Sequence, residues 1–452
     1  MSIADRHRRR YVYHFSHIDN LPSLLKTGFL ANNHPKFPKN GHRSIAYREI
    51  QERRSTMKVT CGPGGCVHDY VPLYFGSLSP MLLSVINAKN IDQKEILYFE
   101  FPITLIEEPN VVFTDASANT ATAPNFLFDE ADLDKLDWDA IDSLKWGNVD
   151  DDFRHRRMAE LLIHQNLALG AASRCVVWNE GIKKRVEQIV QKAKTEFPPI
   201  KFEDPERRHW FTDFLAGNGK GSLVIGPQEI NGIYRRAVSD IKERSGTHKK
   251  TAEFETLKKL LEGLRADFSC LPHTAELIGL KSENGVHQHT VDIHTKDVVT
   301  KLLALPEYAT LEDKPKRLVE LAAYLHDIGK GPKSRWHKNS GVQKIDPNHP
   351  VGAMPMIVKI LTKHVANVSQ ASAAMVAKLV CYHDLVGDVL GRGRDEQQLV
   401  DVALSKAELD MLFALGKADA TSLVESWWDQ DKANALYKRC LAAIEAREKE
   451  DI

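Results

Sequence analysis

The residues best suited to chemistry lie in the run Leu321-Ala322-Ala323-Tyr324-Leu325-His326-Asp327-Ile328-Gly329-Lys330. An apolar, helix-forming stretch ends in an adjacent imidazole and carboxylate. Both groups bind divalent cations well, and two of them side by side make half a metal site. The other donors must come from elsewhere in the chain. His294 lies upstream, and His349, His383 and Asp419 lie downstream, each in or beside an apolar-periodic segment of helical character. Asp327 is the natural bridge, because one carboxylate can span two cations about 3.5–4 Å apart. No cysteine belongs to the set, so Mn, Fe, Mg, Ni and Zn are all chemically allowed. Lys330, just past the pair, is placed to meet a phosphate. His289, His337 and His364 compete with His349 and His383 for the outer positions. The plainer alternative is a helix end with a hydrogen-bonded core histidine.

In this order (His, His-Asp, distal Asp) the chain resembles the HD phosphohydrolase superfamily. Residues 286–299 and 321–332 look most like the HD domain of bifunctional uridylyl-removing enzymes. The resemblance implies His294, His326, Asp327 and Asp419 as ligands of a first metal, and His349 and His383 as the residues that add a second.

A second group of candidate residues lies in the first 200 positions. Tyr11-Val12-Tyr13-His14-Phe15-Ser16-His17 alternates like a strand and leads through Asp19-Asn20 into a helix that carries Leu21, Leu24 and Leu25 inward and stops at Gly28. Arg43, Arg48, Arg53 and Arg54 fall in a partly apolar helix; such a group is usually a solvated face, but guanidinium forks also match phosphate oxygens. Strands are expected at 68–76, 96–101, 111–114 and 175–178, and an amphipathic helix at 180–194. Glu160 stands at the start of the apolar Leu161-Leu162-Ile163, with Arg154, Arg156 and Arg157 on its approach.

Taken in order, Tyr13-His14-Phe15-Ser16-His17-Ile18-Asp19-Asn20-Leu21, Glu52-Arg53-Arg54, the stretch from His68 to Leu82, Phe113-Thr114-Asp115, and Arg156-Arg157-Met158-Ala159-Glu160-Leu161-Leu162 resemble the DarT family, whose members ADP-ribosylate bases of single-stranded DNA with NAD. The resemblance spans about residues 11–195. It implies Glu160 as the catalytic glutamate and one of Arg53 and Arg54 as the second catalytic residue. It implies contact with NAD by His14, Ser16, His17 and Asn20, and an aromatic contact near the nicotinamide by Tyr74. Residues 113–119 match the start of a loop that meets the target base. The residue types suit that reaction. A fixed carboxylate stabilises the cation that develops on the ribose, and a guanidinium stabilises negative charge on a base carbonyl.

The whole chain sets bounds on these readings. Its 452 residues allow two or three domains, and Lys+Arg and Asp+Glu are both 61, so any nucleic-acid surface must be a local patch. Such patches are expected around Arg43–Arg54, Arg154–Arg157 and the N-terminal arginines. Six scattered cysteines without a Cys-x-x-Cys fit a reducing cytoplasm. No signal peptide and no run of 18 apolar residues is evident, so no membrane partner is expected. Gly217 to Ser222 looks superficially like a phosphate loop but lacks the preceding strand and the spacing, and reads as a turn.

The fold expected is α+β: residues 1–200 as an ADP-ribosyltransferase-like mixed β core with helices, 201–280 as a charged helical connection whose Lys249-Lys250 and Lys258-Lys259 pairs suit DNA, and 281–452 as an all-α HD domain. The function expected is NAD-dependent ADP-ribosylation of single-stranded DNA, of toxin or phage-defence type, with room for a separate antitoxin. The alternative makes the HD half a nucleotide or nucleic-acid phosphohydrolase and the N-terminal half a nucleic-acid-binding module.

Overall fold

The computed structural model describes residues 3–450 apart from 40, 46–47, 119–122, 147–148, 205, 214–220, 246–249, 284 and 286–288. The chain folds as two compact units, one of Met1–Asn87 with Ile91–Leu223, the other of Ala88–Asn90 with Val224–Ile452.

The first unit is built on an eight-stranded sheet. Its strands are β1 (Tyr11–His17), β2 (Tyr70–Tyr74), β3 (Ile96–Pro102), β4 (Val111–Thr114), β5 (Phe126–Leu127), β6 (Glu160–His164), β7 (Arg174–Val177) and β8 (Ile200–Phe202), in the order β8-β7-β3-β1-β2-β6-β4-β5. Only β7–β8 is parallel. The central strands bury both faces, so β3 (Ile-Leu-Tyr-Phe-Glu-Phe-Pro) and β6 read as near-continuous apolar runs.

One feature of the pairing prepares the site. β1 runs in full register against β3, from Tyr11↔Pro102 to His17↔Ile96, but meets β2 only at Tyr13↔Tyr74. β2 pairs closely with β6, and there Tyr74 stands opposite Glu160. The sheet is thus opened between β1 and β2 beside the end of β6. Helix α1 (Leu21–Thr27) packs Leu21, Leu24 and Leu25 inward and ends at Gly28. Gly28 has φ +67°, and a Cβ there would stand 2.7 Å from the Leu167 carbonyl oxygen, so glycine is required on both counts. Helix α2 (Arg48–Thr56) lines the opening through Ile50, Gln51 and Arg54, and helix α3 (Asp151–Arg157) precedes β6. The sheet gains its β8 edge strand after helix α4 (Glu180–Ala193), which Asn179 caps through the Ile182 N–H.

Among the described residues the regular structure of the second unit is helical apart from a parallel pair of three-residue strands, Phe254–Thr256 and Val365–Asn367, and an isolated bridge between Ser282 and Gln343. Helix α5 (Pro227–Arg244) lies in what the sequence reads as the connection. Helices α6 (Val291–Ala304), α7 (Asp313–Leu325), α8 (His349–Gly352), α9 (Gln370–Cys381) and α10 (Lys406–Leu423) surround a core that includes Val298, Leu302, Leu321, Leu325, Ile357, Leu379 and Leu415. Among the described residues no helix is long and apolar enough to cross a membrane.

Candidate functional sites

In the first unit the centre of the site is an ion pair. Arg54 Nη1 and Nη2 donate to Glu160 Oε1 and Oε2, both at 2.9 Å. Both side chains are buried, Arg54 at 7% exposure and Glu160 at 1%. A bidentate guanidinium–carboxylate pair in low dielectric is strong, and breaking it leaves an uncompensated charge. Burial acts to lower the Arg54 guanidinium, but the charge and the hydrogen bonding of Glu160 together outweigh it and raise the group. Thr114, fully buried at the end of β4, accepts the Glu160 N–H at 3.1 Å, and the Ala118 N–H points to Glu160 Oε1 at 3.3 Å. The neighbouring Arg53 is exposed. Sequence left the two arginines undecided; three-dimensional register separates them, because only one face of α2 turns to β6.

A cavity of about 430 Å³ opens beside the pair, within the usual size of a ligand site. Both strands at the sheet opening line it: His14, Phe15 and Ser16 from β1, and Tyr70, Pro72 and Tyr74 from β2. His14 Nδ1–H donates to the Pro72 carbonyl at 2.9 Å. Burial brings the imidazole down to about 4, so at neutral pH Nε2 carries a free lone pair. Asn20, also in the lining, donates to Ser16 Oγ (3.1 Å) and the Arg43 carbonyl (3.0 Å) and accepts the Arg43 N–H (2.8 Å). It therefore holds the Arg43 segment over the cavity rather than capping α1. Tyr74 stacks on Phe15 with ring centroids 5.5 Å apart, and burial followed by the Glu160 charge raises its phenol.

His17 corrects the sequence reading. It does not line the cavity: its fully buried ring accepts the Asp19 N–H on Nδ1 and donates from Nε2 to Glu95, both at 3.2 Å. Several arginines expected to form basic patches are also engaged: Arg6 with Asp134, Arg10 with Asp142, and Arg156 with Asp137. Arg157 is buried with its guanidinium 3.7 Å above the Trp146 ring. Of the loop at 113–119, Asn119 lies outside the described residues, as does Lys249 of the lysine pairs.

In the second unit all six expected metal ligands converge. His294 comes from the first turn of α6, His326 and Asp327 from the end of α7, His349 from the start of α8, His383 from just beyond α9, and Asp419 from α10. His294 Nε2 is 3.1 Å from Asp419 Oδ1 and 3.6 Å from Asp327 Oδ2, and His326 Nε2 is 3.4 Å from the same Oδ2. The other Asp327 oxygen faces His349 Nε2 at 3.2 Å. The carboxylate thus presents one oxygen to each ligand group. Donors about 2.1 Å from a shared cation stand roughly 3.0–3.4 Å apart, and these separations sit close to that range.

Two observations test whether the residues fit a metal. His326, His349 and His383 each donate Nδ1–H to a carbonyl three residues back, at 2.7, 2.8 and 2.9 Å. That locks every Nε2 as a lone-pair donor aimed inward, the arrangement typical of metal-bound histidine. His326 Nε2 is buried with no hydrogen-bond partner, and His349 and His383 place their Nε2 atoms 3.2 Å apart. Two facing lone pairs call for a positive charge between them. The residues therefore fit a divalent metal, and the arrangement suits two. Lys330 Nζ lies 2.7 Å from Asp327 Oδ2. Burial acts to raise the Asp327 carboxyl, but Lys330 and then His326 outweigh it and hold it well below the carboxylate range. The competing histidines fall away: His289 and His337 are exposed, and His364 pairs with Glu253 at 2.9 Å. Sequence reasoning missed Ser422, 3.2 Å from His294 Nδ1, and the cavity residues Asn32, His42 and Gln51, none of which carries a signal in one dimension.

Comparison with known proteins matches a family to each part of the chain. The family described as "ssDNA thymidine ADP-ribosyltransferase, DarT" matches residues 13–212, and the HD domain matches residues 291–410. A DNA ADP-ribosyl transferase of Thermus sp. is 34% identical over 192 residues, 41% of this chain and 88% of that protein. A bifunctional uridylyltransferase/uridylyl-removing enzyme of Cereibacter sphaeroides is 24% identical over 198 residues, 39% of this chain and 19% of that enzyme. Among solved structures, Thermus sp. DarT in complex with ADP-ribosylated single-stranded DNA is similar at 28% identity and TM-score 0.41, covering 46% of this chain and 99% of that one.

Proposed function

The chain belongs to the DarT family of DNA ADP-ribosyltransferases, and on that footing we propose that its first unit transfers ADP-ribose from NAD to a base of single-stranded DNA, thymidine by the family's description. The observation that carries this reading is the buried Arg54–Glu160 pair beside the β1–β2 cavity. In the proposed reaction the bond between ribose C1′ and nicotinamide breaks, and its electron pair leaves with neutral nicotinamide. A bond forms from C1′ to the base ring nitrogen, which gives up its proton. Glu160 faces the positive charge that builds on the ribose, and its carboxylate is at hand for the proton. Arg54 is the second catalytic residue, its guanidinium stabilising charge on a base carbonyl. To do so it must share or release Glu160, so the ion pair is the resting arrangement. His14, Ser16, Asn20 and Tyr74 hold NAD in the cavity. A single-stranded target avoids the cost of unpairing the base. Incubation of the full-length protein with NAD and a pool of short oligonucleotides should add one ADP-ribosyl mass to DNA, and Glu160→Ala should abolish it. Labelling by the variant at the wild-type level refutes the assignment.

The second unit is proposed as a metal-dependent phosphohydrolase. His294, His326, Asp327 and Asp419 would hold one divalent cation, and Asp327, His349 and His383 would hold a second. Such ions would supply Lewis acidity and activate water at neutral pH. Lys330 orients a phosphate. The six free thiols favour a cytoplasmic setting. The combination suits a toxin or phage-defence protein, with a separate antitoxin or the second unit itself opposing the transferase. Toxicity on expression, relieved by Glu160→Ala and increased by Asp327→Ala, is the expected pattern if the second unit restrains the first.

A further inference from the structure

The helix that carries Arg54 has little to hold it by hydrophobic means. Its sequence is Arg48-Glu49-Ile50-Gln51-Glu52-Arg53-Arg54-Ser55-Thr56, with Ile50 as its one aliphatic residue. Nine residues are too few for a helix to persist alone in water, and tertiary contacts must place it. Gln51 and Arg54, three residues apart on one face, both reach buried partners. Arg54 meets Glu160. Gln51 Oε1 accepts Nε2–H of His68 at 3.2 Å, and His68 Nδ1 accepts Asn32 Nδ2–H at 3.1 Å. His68 sits at 7% exposure in the turn Val67–Asp69 that leads into β2. The three side chains form a hydrogen-bonded line from the Asn32 segment through the imidazole to α2, and all three line the cavity. Each bond uses one ring nitrogen in one role, so the line is satisfied by the neutral Nε2–H tautomer alone. Burial and the nearby Arg54 charge lower the imidazole and keep it neutral, with Asp69 opposing them.

We propose that His68 is a positioning residue for the transferase: through Gln51 it fixes α2, and so holds the Arg54 guanidinium in register with Glu160. The assignment rests on the ADP-ribosyl transfer reading for its catalytic consequence, but its structural core is independent of that reading. His68 has no bond to Arg54 or Glu160 and acts only through the helix. The ring also borders the cavity, and the loss in kcat set against the change in KM separates the two roles.

The test uses the full-length protein, a single-stranded oligonucleotide assay with saturating DNA and varied NAD, and hydrogen exchange of peptides covering residues 48–57. His68→Leu keeps bulk and removes both bonds; it should lower kcat at least tenfold while KM for NAD changes less than threefold, and should speed exchange across α2. His68→Gln, which restores an N–H near the Nε2 position, should recover much of the rate. Gln51→Leu should match His68→Leu, and the double variant should be no slower than either single. Equal rises in KM with kcat intact, or independent and additive losses, overturn the proposal. If the wild type transfers nothing to DNA, the parent reading fails, and the exchange measurement still decides the positioning claim: unchanged α2 protection in His68→Leu refutes it.

Discussion

Separating Arg54 from Glu160 should cost the first unit far more than either residue's hydrophobic burial. Glu160→Ala leaves a guanidinium at 7% exposure with no carboxylate, and Arg54→Ala leaves a carboxylate at 1% exposure in the same state. Removing one partner of a buried pair costs about 3–5 kcal/mol, most of it the penalty on the survivor. The double variant strands no charge, so its cost should fall below the sum of the singles by about 2 kcal/mol or more. The affected strand is identifiable, because β6 pairs with β2 on one side and β4 on the other. Hydrogen exchange of peptides spanning Val111–Thr114 and Glu160–His164 reports the local opening free energy without reference to the second unit. At about 1.36 kcal/mol per factor of ten, each single variant should speed exchange there by roughly two to four orders of magnitude. The double variant should be slower to exchange than the single sum demands. Additive effects, with a coupling below about 0.5 kcal/mol, would mean that the pair is not a buried energetic unit, and would remove the basis for calling it the resting arrangement of the site.

Acid should weaken the first unit through Glu100. This fully buried carboxylate on β3 takes Arg174, Arg207 and His209 at 2.7–2.9 Å. Burial acts to raise it, but His209 and Arg174 outweigh that and bring it from an ordinary 4.5 to about 2. A depressed carboxyl stabilises above its unfolded value, so roughly 3 kcal/mol should be present at neutral pH and lost as pH falls from 4.5 towards 2. Glu100→Gln should flatten that acid limb in exchange of the β3 amides, and an unchanged limb refutes the linkage. In the second unit, elemental analysis after metal-supplemented expression should find about two divalent ions per chain, and Asp327→Ala fewer than one; a metal-free wild type would mean a degenerate site. Gly329→Ala should strip the outer ion first, because its Cβ would collide with the His349 carbonyl oxygen and stand 2.7 Å from the Ala353 nitrogen. Retention of both ions by this variant would show that the α7–α8 contact tolerates what its geometry forbids.

The candidate metal ligands, which the fold brings together, could be picked out in one dimension because such donors are chemically conspicuous. Histidines and aspartates at the ends of apolar helices have few other reasons to recur in that order, and the helices that place them advertise their own periodicity. The strands of the transferase half were legible for the same reason, as apolar runs broken by turn residues. Glu160 stood out through its place in the DarT-like motif order, not through its own surroundings in the sequence. Sequence could not choose between Arg53 and Arg54, because adjacent residues on a helix are about 100° apart and only the neighbour of that helix says which one faces inward. The family resemblance put His17 among the NAD contacts with His14 and Ser16, but its ring is taken up by the Asp19 N–H and Glu95, contacts that residue type does not announce. Nothing in one dimension hinted at the line from Asn32 through His68 to Gln51, whose members lie up to 36 residues apart. Such polar contacts have no periodicity; they arise where the β1–β2 opening brings a loop, a turn and a helix to one wall. Residue type and spacing thus singled out the candidate metal donors, and the order of motifs, through the family resemblance, pointed to the transferase chemistry of the first half. The opening of the sheet and the inward face of α2 decided which side chains are placed to do it.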